Sequence, residues 1–239
     1  MDRLISRLDK ALNQQKSITL IFDIDSTIFD VTPRNQEILN LFLHTKEDIS
    51  KNYTLKPFDW GIERFLKDIH SEKIKKDAKH FWSKHFFSGT FLNSDTPYPM
   101  AVETIKGFGT LGFEILYLTG RDTFRMREGT LKQLKHWNLP LLSDKDLITK
   151  PDKSLRDGPY KAESIKEIMK NRPEKTEFLF FDNEPVVIDH CQFLESKNYE
   201  AFYIESTHSN RMPPKSSWSK ISVESYPKLF EYTLNKGAT

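Results

Sequence analysis

The stretch that most constrains this chain is Leu20-Ile21-Phe22-Asp23-Ile24-Asp25-Ser26-Thr27-Ile28-Phe29-Asp30. It begins as an apolar run from Ile18 to Phe22 that reads as a buried strand. At its carboxyl end the run turns polar, with two carboxylates two residues apart and then a Ser-Thr pair. Side chains at i and i+2 of a strand share a side, so Asp23 and Asp25 are expected to converge on one spot. Two carboxylates do not share a site without a cation or a proton between them. In open parallel α/β sheets the carboxyl ends of the strands are where ligands bind. The alternative is local, with Asp25 or Ser26 capping whatever follows.

The segments downstream repeat the arrangement. Phe113 to Leu118 is a second apolar strand, ending in Thr119-Gly120-Arg121-Asp122. Asp146 to Thr149 is a short one, Glu177 to Phe181 runs into Asp182-Asn183-Glu184-Pro185, and Ala201 to Ile204 is the last. Helical periodicity fills the intervals: Leu4, Ile5, Leu8, Ala11 and Leu12 before the first strand, Ala101 and Ile105 within Met100–Gly107, Leu131, Leu134 and Trp137, then Ile165, Ile168 and Met169 on a helix opened by Lys161. The last thirty residues read as a polar tail with a helix at Tyr226–Leu234. Strands alternating with helices imply right-handed crossovers and a parallel sheet covered on both faces. The expected fold is therefore α/β, a Rossmann-like three-layer domain with a central parallel sheet.

Between Thr32 and Thr96 the pattern changes to helices alone. Ile38, Leu39, Leu41 and Phe42 mark one, starting near Thr32-Pro33, a cap and first-turn pair. Ile62, Phe65, Leu66 and Ile69 mark a second, and Ile74, Ala78, Phe81, Trp82 and His85 a third. Residues 32–96 are thus expected to form an all-helical insert of about 60–65 residues, with 1–31 and 97–239 making the core domain. Its lysines (Lys73, Lys75, Lys76, Lys79, Lys84) read as the wet face of an amphipathic helix rather than a lid over an anionic substrate.

Composition narrows the function classes. A net charge of +2 over 239 residues demands neither a nucleic-acid nor a membrane partner. The single cysteine, Cys191, excludes an internal disulfide and a Cys-rich zinc site, and reads as a small core residue. The absence of an apolar run of 18 or more residues gives no expectation of a membrane span. The start lacks the apolar core of a secretory signal, so the cytoplasm is the expected location.

Four polar clusters fall after strands or at a helix start: Asp23/Asp25, Thr119-Gly120-Arg121, Lys161 and Asp182. Together they suit metal-assisted phosphoryl transfer, with a carboxylate to attack phosphorus and a hard cation held by oxygens. A hydroxyl and an ammonium would bind the non-bridging oxygens. In this order the clusters resemble the four motifs of haloacid dehalogenase-superfamily phosphatases: Asp23-Ile24-Asp25-Ser26-Thr27, Thr119, Lys161 and Asp182.

That resemblance implies an aspartyl-phosphate on Asp23, with Asp25 as general acid/base. It also implies Mg²⁺ held by the Asp23 carboxylate, the Asp25 backbone carbonyl and Asp182, and a helical cap over a small phosphorylated substrate. Thr119, Gly120 and Lys161 would bind phosphate. Lys161 is preferred over Lys150 and Lys153 because Gly158-Pro159-Tyr160 leads into its helix. The fourth motif departs from the family pattern: Asn183 or Glu184 would take the second acid's place, and Asp189 reads as a solvated helix carboxylate. Arg121 is open between touching substrate and bracing its own loop.

Two alternatives remain. The Thr119–Asp122 and Phe181–Asn183 segments also resemble the 3′-phosphatase domains of polynucleotide repair enzymes, against which a large cap and near-zero charge weigh. The other is a non-enzymatic phospho-aspartate switch similar to receiver domains. There the phospho-acceptor stands on a later strand than the acidic pair, and no helical insert is present. The sequence is silent on oligomeric state.

Overall fold

The strands are apolar on both sides because both sides of the sheet are covered. The computed structural model describes residues 1–46, 52–192, 194 and 197–237. Among these, β1 (Ile18–Phe22), β4 (Glu114–Asp122), β5 (Leu147–Lys150), β6 (Glu177–Asp182), β7 (Tyr199–Glu205) and β8 (Ser219–Ser222) form one parallel sheet in the order β5-β4-β1-β6-β7-β8. Successive side chains alternate between two cores. Leu20, Phe22, Leu179, Phe181 and Phe202 enter one with α1 (Asp2–Asn13), α5 (Ala101–Thr110), α6 (Thr123–His136) and α9 (Tyr226–Gly237). Ile21, Phe178, Phe180 and Tyr203 enter the other with α7 (Asp157–Lys170) and α8 (Pro185–Cys191). The register puts Phe22 beside Phe181 and Phe181 beside Phe202, and their rings stack across three strands at 4.6 and 5.5 Å. The expected three-layer α/β architecture is present.

The order places β1 where the chain reverses direction across the sheet: β4 lies on one side of it and β6 on the other. Such a switch point opens a crevice at the carboxyl ends of the two diverging strands. Asp23 follows β1 and Asp182 ends β6, so both stand at that crevice.

Helices α2 (Thr32–His44), α3 (Glu63–Asp68) and α4 (Glu72–Phe86) have a small core of their own, built from Leu39, Phe42, Leu43, Leu55, Ile62, Phe65 and Ala78. Two very short strands, β2 (Phe29–Asp30) and β3 (Thr96–Pro97), pair antiparallel where the chain leaves the sheet for these helices and returns. Neither carries enough residues to show a period of two.

Two expectations need correction. The final thirty residues are no mere polar tail. Ser219–Ser222 adds an edge strand beside β7, and α9 packs so closely on α5 that a Cβ on Gly107 would lie 2.2 Å from Thr233 Oγ1. Lys161 does not open its helix either: α7 starts at Asp157, which places Lys161 one turn inside, on the buried side with Ile165 and Ile168.

Candidate active site

β1 ends at Phe22, and the chain beyond it is no longer extended. Phe29 N and Ile28 N both donate to Ile24 O, at 3.1 and 3.0 Å, and Ser26 takes a left-handed φ of 56°. The turn is held from outside by Tyr226 Oη, which donates to Thr27 O at 2.7 Å, and by Ser206 Oγ, which donates to Ser26 O. Because the strand has stopped, the i, i+2 rule does not govern Asp23 and Asp25. The two line the same cavity, of about 600 Å³, but are held by different cations.

Asp23 belongs to the sheet crevice. Lys161 Nζ donates to Asp23 Oδ1 at 2.5 Å and to Asp182 Oδ2 at 2.7 Å, and all three residues are at most 4% exposed. Thr27 Oγ1 lies 3.4 Å from Asp23 Oδ2, and Glu184 N donates to Asp182 Oδ1 at 2.8 Å. Burial pushes the Asp23 carboxyl up to about 7, against the pull of Lys161, and raises Asp182 for the same reason. Burial alone would lower Lys161, but the two carboxylates beside it hold its proton well above the usual lysine range. Two acids thus share one ammonium, leaving one carboxylate unmatched among buried side chains when both are ionised.

Asp25 belongs to a different cluster. Partial burial would raise its carboxyl, yet Arg121 and Arg34 hold it well below the usual carboxylate range. Arg121 donates from Nε to Asp25 Oδ2 at 3.0 Å and from Nη2 to Oδ1 at 2.7 Å; Arg34 Nη2 donates to Oδ1 as well. Arg121 Nη1 reaches Gln133 Oε1 at 2.7 Å and Thr130 Oγ1 at 3.2 Å, and Nη2 also meets Asp95 Oδ2 at 3.1 Å. A guanidinium has five N–H donors, and every one of these is engaged. Arg121 therefore braces Asp25 and has no donor left for substrate.

The remaining expected residues fall into place around these two clusters. Thr119, 1% exposed, lines the cavity, and its Oγ1 accepts from Arg121 N at 3.2 Å. Gly120 also lines it, in a gap where a Cβ would stand 3.0 Å from the Asp157 carboxylate. Lys150 lines the cavity too but pairs with Asp157 at 2.7 Å. Asn183 is buried, donating from Nδ2 to Thr207 O at 2.5 Å, with Oδ1 3.4 Å from Thr27 Oγ1. Glu184 turns toward the 206–211 loop, accepting from Ser209 Oγ at 2.5 Å and Ser209 N at 3.1 Å. Asp189 pairs with Lys215 outside the cavity, and Cys191 is buried. Lys73, Lys76, Lys79 and Lys84 are exposed and none lines the cavity.

The sequence reading missed Arg34, Asp95, Gln133 and Trp60, and set aside a lid built from the lysines around Phe81, Trp82, Phe86 and Phe87. Trp60, Trp82, Phe86 and Phe87 line the side of the cavity facing the sheet ends, with Trp82 and Phe86 stacked at 4.8 Å. The aromatic density of residues 81–87 was the available signal for the wall. Nothing in the sequence pairs Arg34 with Asp95.

The residues at the crevice suit a hard divalent cation. Two carboxylates from neighbouring strands with one charge in excess form an oxygen donor set, and Mg²⁺ is commonly held by one or two carboxylates with water completing its shell. Among the described residues no group of three or more His, Cys, Asp or Glu side chains offers a fuller cage.

No family model matches the chain. A Bacillus cereus protein assigned by name as a candidate nucleotidase is 25% identical over 202 residues, covering 84% of this chain and 94% of its own. Among solved structures, a candidate phosphatase from Clostridium difficile aligns over 90% of this chain and 98% of its own, with a TM-score of 0.59 and 15% identity. A haloacid dehalogenase-like family hydrolase from Streptococcus pneumoniae aligns over 92% and 99%, with a TM-score of 0.55 and 11% identity. One from Ehrlichia chaffeensis aligns over 91% and 96%, with a TM-score of 0.53 and 12% identity. Identities this low speak for the fold. With its sheet order, its helical insert and its strand-end acids, the chain has the haloacid dehalogenase-like hydrolase fold.

Proposed function

We propose that this chain is a Mg²⁺-dependent phosphomonoesterase that works through an aspartyl-phosphate on Asp23. One observation carries the reading: a buried carboxylate at the switch point shares Lys161 with Asp182, while a second acid two residues on is held apart at the same cavity. A nucleophile and a proton carrier thus face one space with separate counter-charges.

The Asp23 carboxylate attacks phosphorus and the P–O bond to the leaving alcohol breaks, the alcohol oxygen taking a proton that Asp25 must carry against the pull of Arg121 and Arg34. Water then attacks the phosphoryl group on Asp23, giving its proton to Asp25, and inorganic phosphate departs. Lys161 and the hydroxyl of Thr119 neutralise and orient the non-bridging oxygens. Asp23, Asp182 and the Asp25 carbonyl would hold Mg²⁺, which supplies charge neutralisation at the phosphoryl oxygens when bound. Asn183 supports this set through Thr27, and Glu184 through the 206–211 loop.

The helices between β2 and β3 act as a cap that excludes water and shapes the leaving-group side. The wall of Trp60, Trp82, Phe86 and Phe87 suits a flat ring, so a nucleoside is the leaving group favoured here, in keeping with the name of the Bacillus cereus relative.

The test is release of inorganic phosphate from a panel of monoesters with the purified protein and Mg²⁺: phenyl phosphate, glycerol phosphates, and nucleoside 5′- and 3′-monophosphates. Turnover that needs Mg²⁺ and is lost in Asp23→Asn is expected. No release from any ester, or an Asp23→Asn variant as active as the parent, overturns the reading.

A further inference from the structure

Asp25 is one corner of a closed ring of alternating charge. Arg121 and Arg34 both donate to its Oδ1, at 2.7 Å in the case of Arg121. The same two guanidiniums meet Asp95: Arg121 Nη2 donates to Oδ2 at 3.1 Å, and Arg34 Nε lies 2.9 Å from Oδ1 as an ion pair that is not aligned as a hydrogen bond. Arg34, Asp95 and Arg121 are at most 2% exposed. Gln133 of α6 closes the outside of the ring, donating to Asp95 Oδ2 at 3.0 Å.

The places these residues occupy along the chain matter as much as the distances. Asp25 and Arg121 follow β1 and end β4, so both belong to the sheet domain. Arg34 lies in the first turn of α2, just after the chain leaves for the helices. Asp95 stands immediately before β3, where the chain comes back. Each of the two crossings therefore contributes one member. Arg34 also reaches into the cap: its guanidinium lies 4.1 Å from the centre of the Phe86 ring, and Nη1 is 3.4 Å from Phe86 O. Phe86 is part of the aromatic wall. A continuous path of contacts thus runs from the wall through Arg34 to Asp25.

We infer that Arg34 and Asp95 are positioning residues for proton transfer: they fix the Asp25 carboxylate and tie its place to the seating of the helical cap. This rests on the phosphomonoesterase reading above. Neither residue touches the reacting atoms. Arg121 is pinned in the sheet domain by Thr130 and Gln133, whereas Arg34 belongs to α2 and packs on Phe86 of the cap. Seating the cap against a substrate therefore sets the second arm on Asp25.

The test separates position from mere folding by the acidity of the leaving group. Loss of p-nitrophenol from its phosphate needs little help from an acid, whereas loss of phenol needs much more. The variant is Arg34→Met/Asp95→Leu, which removes one positive and one negative member together and leaves Asp25 paired with Arg121. Asp95→Asn serves as the milder second variant should the double one not fold. The expected result is a fall in kcat for phenyl phosphate about tenfold greater than that for p-nitrophenyl phosphate, with KM moving less than kcat. Faster amide hydrogen exchange around residues 31–35 and 93–98 should accompany it.

Equal losses on the two esters, or none, in either variant would overturn the inference. Failure of the underlying reading looks different: the parent protein would hydrolyse neither ester, or Asp25→Asn would show no dependence on the leaving group.

Discussion

Replacing Asp23 with Asn should make the metal-free protein harder to melt while abolishing its turnover. The reason is the unmatched charge at the crevice. Asp23 and Asp182 converge on Lys161 and all three are buried, and burial lifts the Asp23 carboxyl from 3.8 to about 7. The folded state therefore holds that proton more tightly than the unfolded chain does. Between those two values stability falls as pH rises, and above about 7 the whole penalty is present. The interval corresponds to roughly 4 kcal/mol at about 1.36 kcal/mol per pH unit.

Asparagine at position 23 removes the penalty and leaves Lys161 paired one-to-one with Asp182. The pull of the 2.5 Å bond from Lys161 is already contained in that rise, so the variant gives up only packing and a weaker neutral contact beyond it. The gain at pH 8 is then at most about 4 kcal/mol, and even a quarter of it is roughly 2–4 °C in Tm for a chain of this length. Thermal melts in EDTA at pH 8 and pH 5 check this: the advantage of Asp23→Asn should be clear at pH 8 and shrink at pH 5. Millimolar Mg²⁺ should raise the Tm of the parent and do far less for the variant. An Asp23→Asn variant that melts at or below the parent at pH 8 in EDTA would refute the argument from excess charge.

The other predictions test neighbouring parts of the structure. Lys161→Met should act in the opposite sense, stranding two buried carboxylates at a cost of about 3–5 kcal/mol, and should release no phosphate; calorimetry and a phosphate assay read both effects. Trp82→Ala should raise KM for a nucleoside monophosphate by about tenfold and for glycerol phosphate by less, since aromatic contact contributes roughly 0.5–1.5 kcal/mol beyond burial. Gly107→Ala would drive a methyl into Thr233 and should cost about 1–3 kcal/mol by urea unfolding, much of it recovered in Gly107→Ala/Thr233→Ala.

The elements legible in the sequence are those whose burial leaves a periodic trace. β1, β4, β6 and β7 sit between two helical layers, so their central residues are mostly apolar on both faces; α2 and α4 bury a stripe, so theirs repeat at helical spacing. β8 escaped because it is four residues long and lies at an edge, and its Ser-Lys-Ile-Ser carries a single buried apolar side chain. The convergence of Asp23 and Asp25 was expected from strand geometry, and strand geometry ends at Phe22. Thr119, Gly120, Lys161 and Asp182 line the same cavity, with Lys161 reaching both Asp23 and Asp182. The partners of Asp25 were illegible for a different reason. An Arg early in one helix and an Asp before a short strand look like surface residues, and only the return of the chain across the cap brings them together.

Those partners decide which of the two neighbouring aspartates a cation should seek. The ring of Asp25, Arg34, Asp95 and Arg121 contains two positive and two negative groups, so it is neutral as it stands. A metal drawn toward the Asp25 side chain would meet two buried guanidiniums that cannot withdraw without stranding Asp95. The group of Asp23, Asp182 and Lys161 holds one negative charge too many, and a divalent ion there relieves the excess. Opposite charge balance at positions two residues apart thus separates the two tasks. In the proposed mechanism the carboxylate with charge in excess would be the one to take the cation and attack phosphorus, while the side chain already matched by two guanidiniums would be left to the proton.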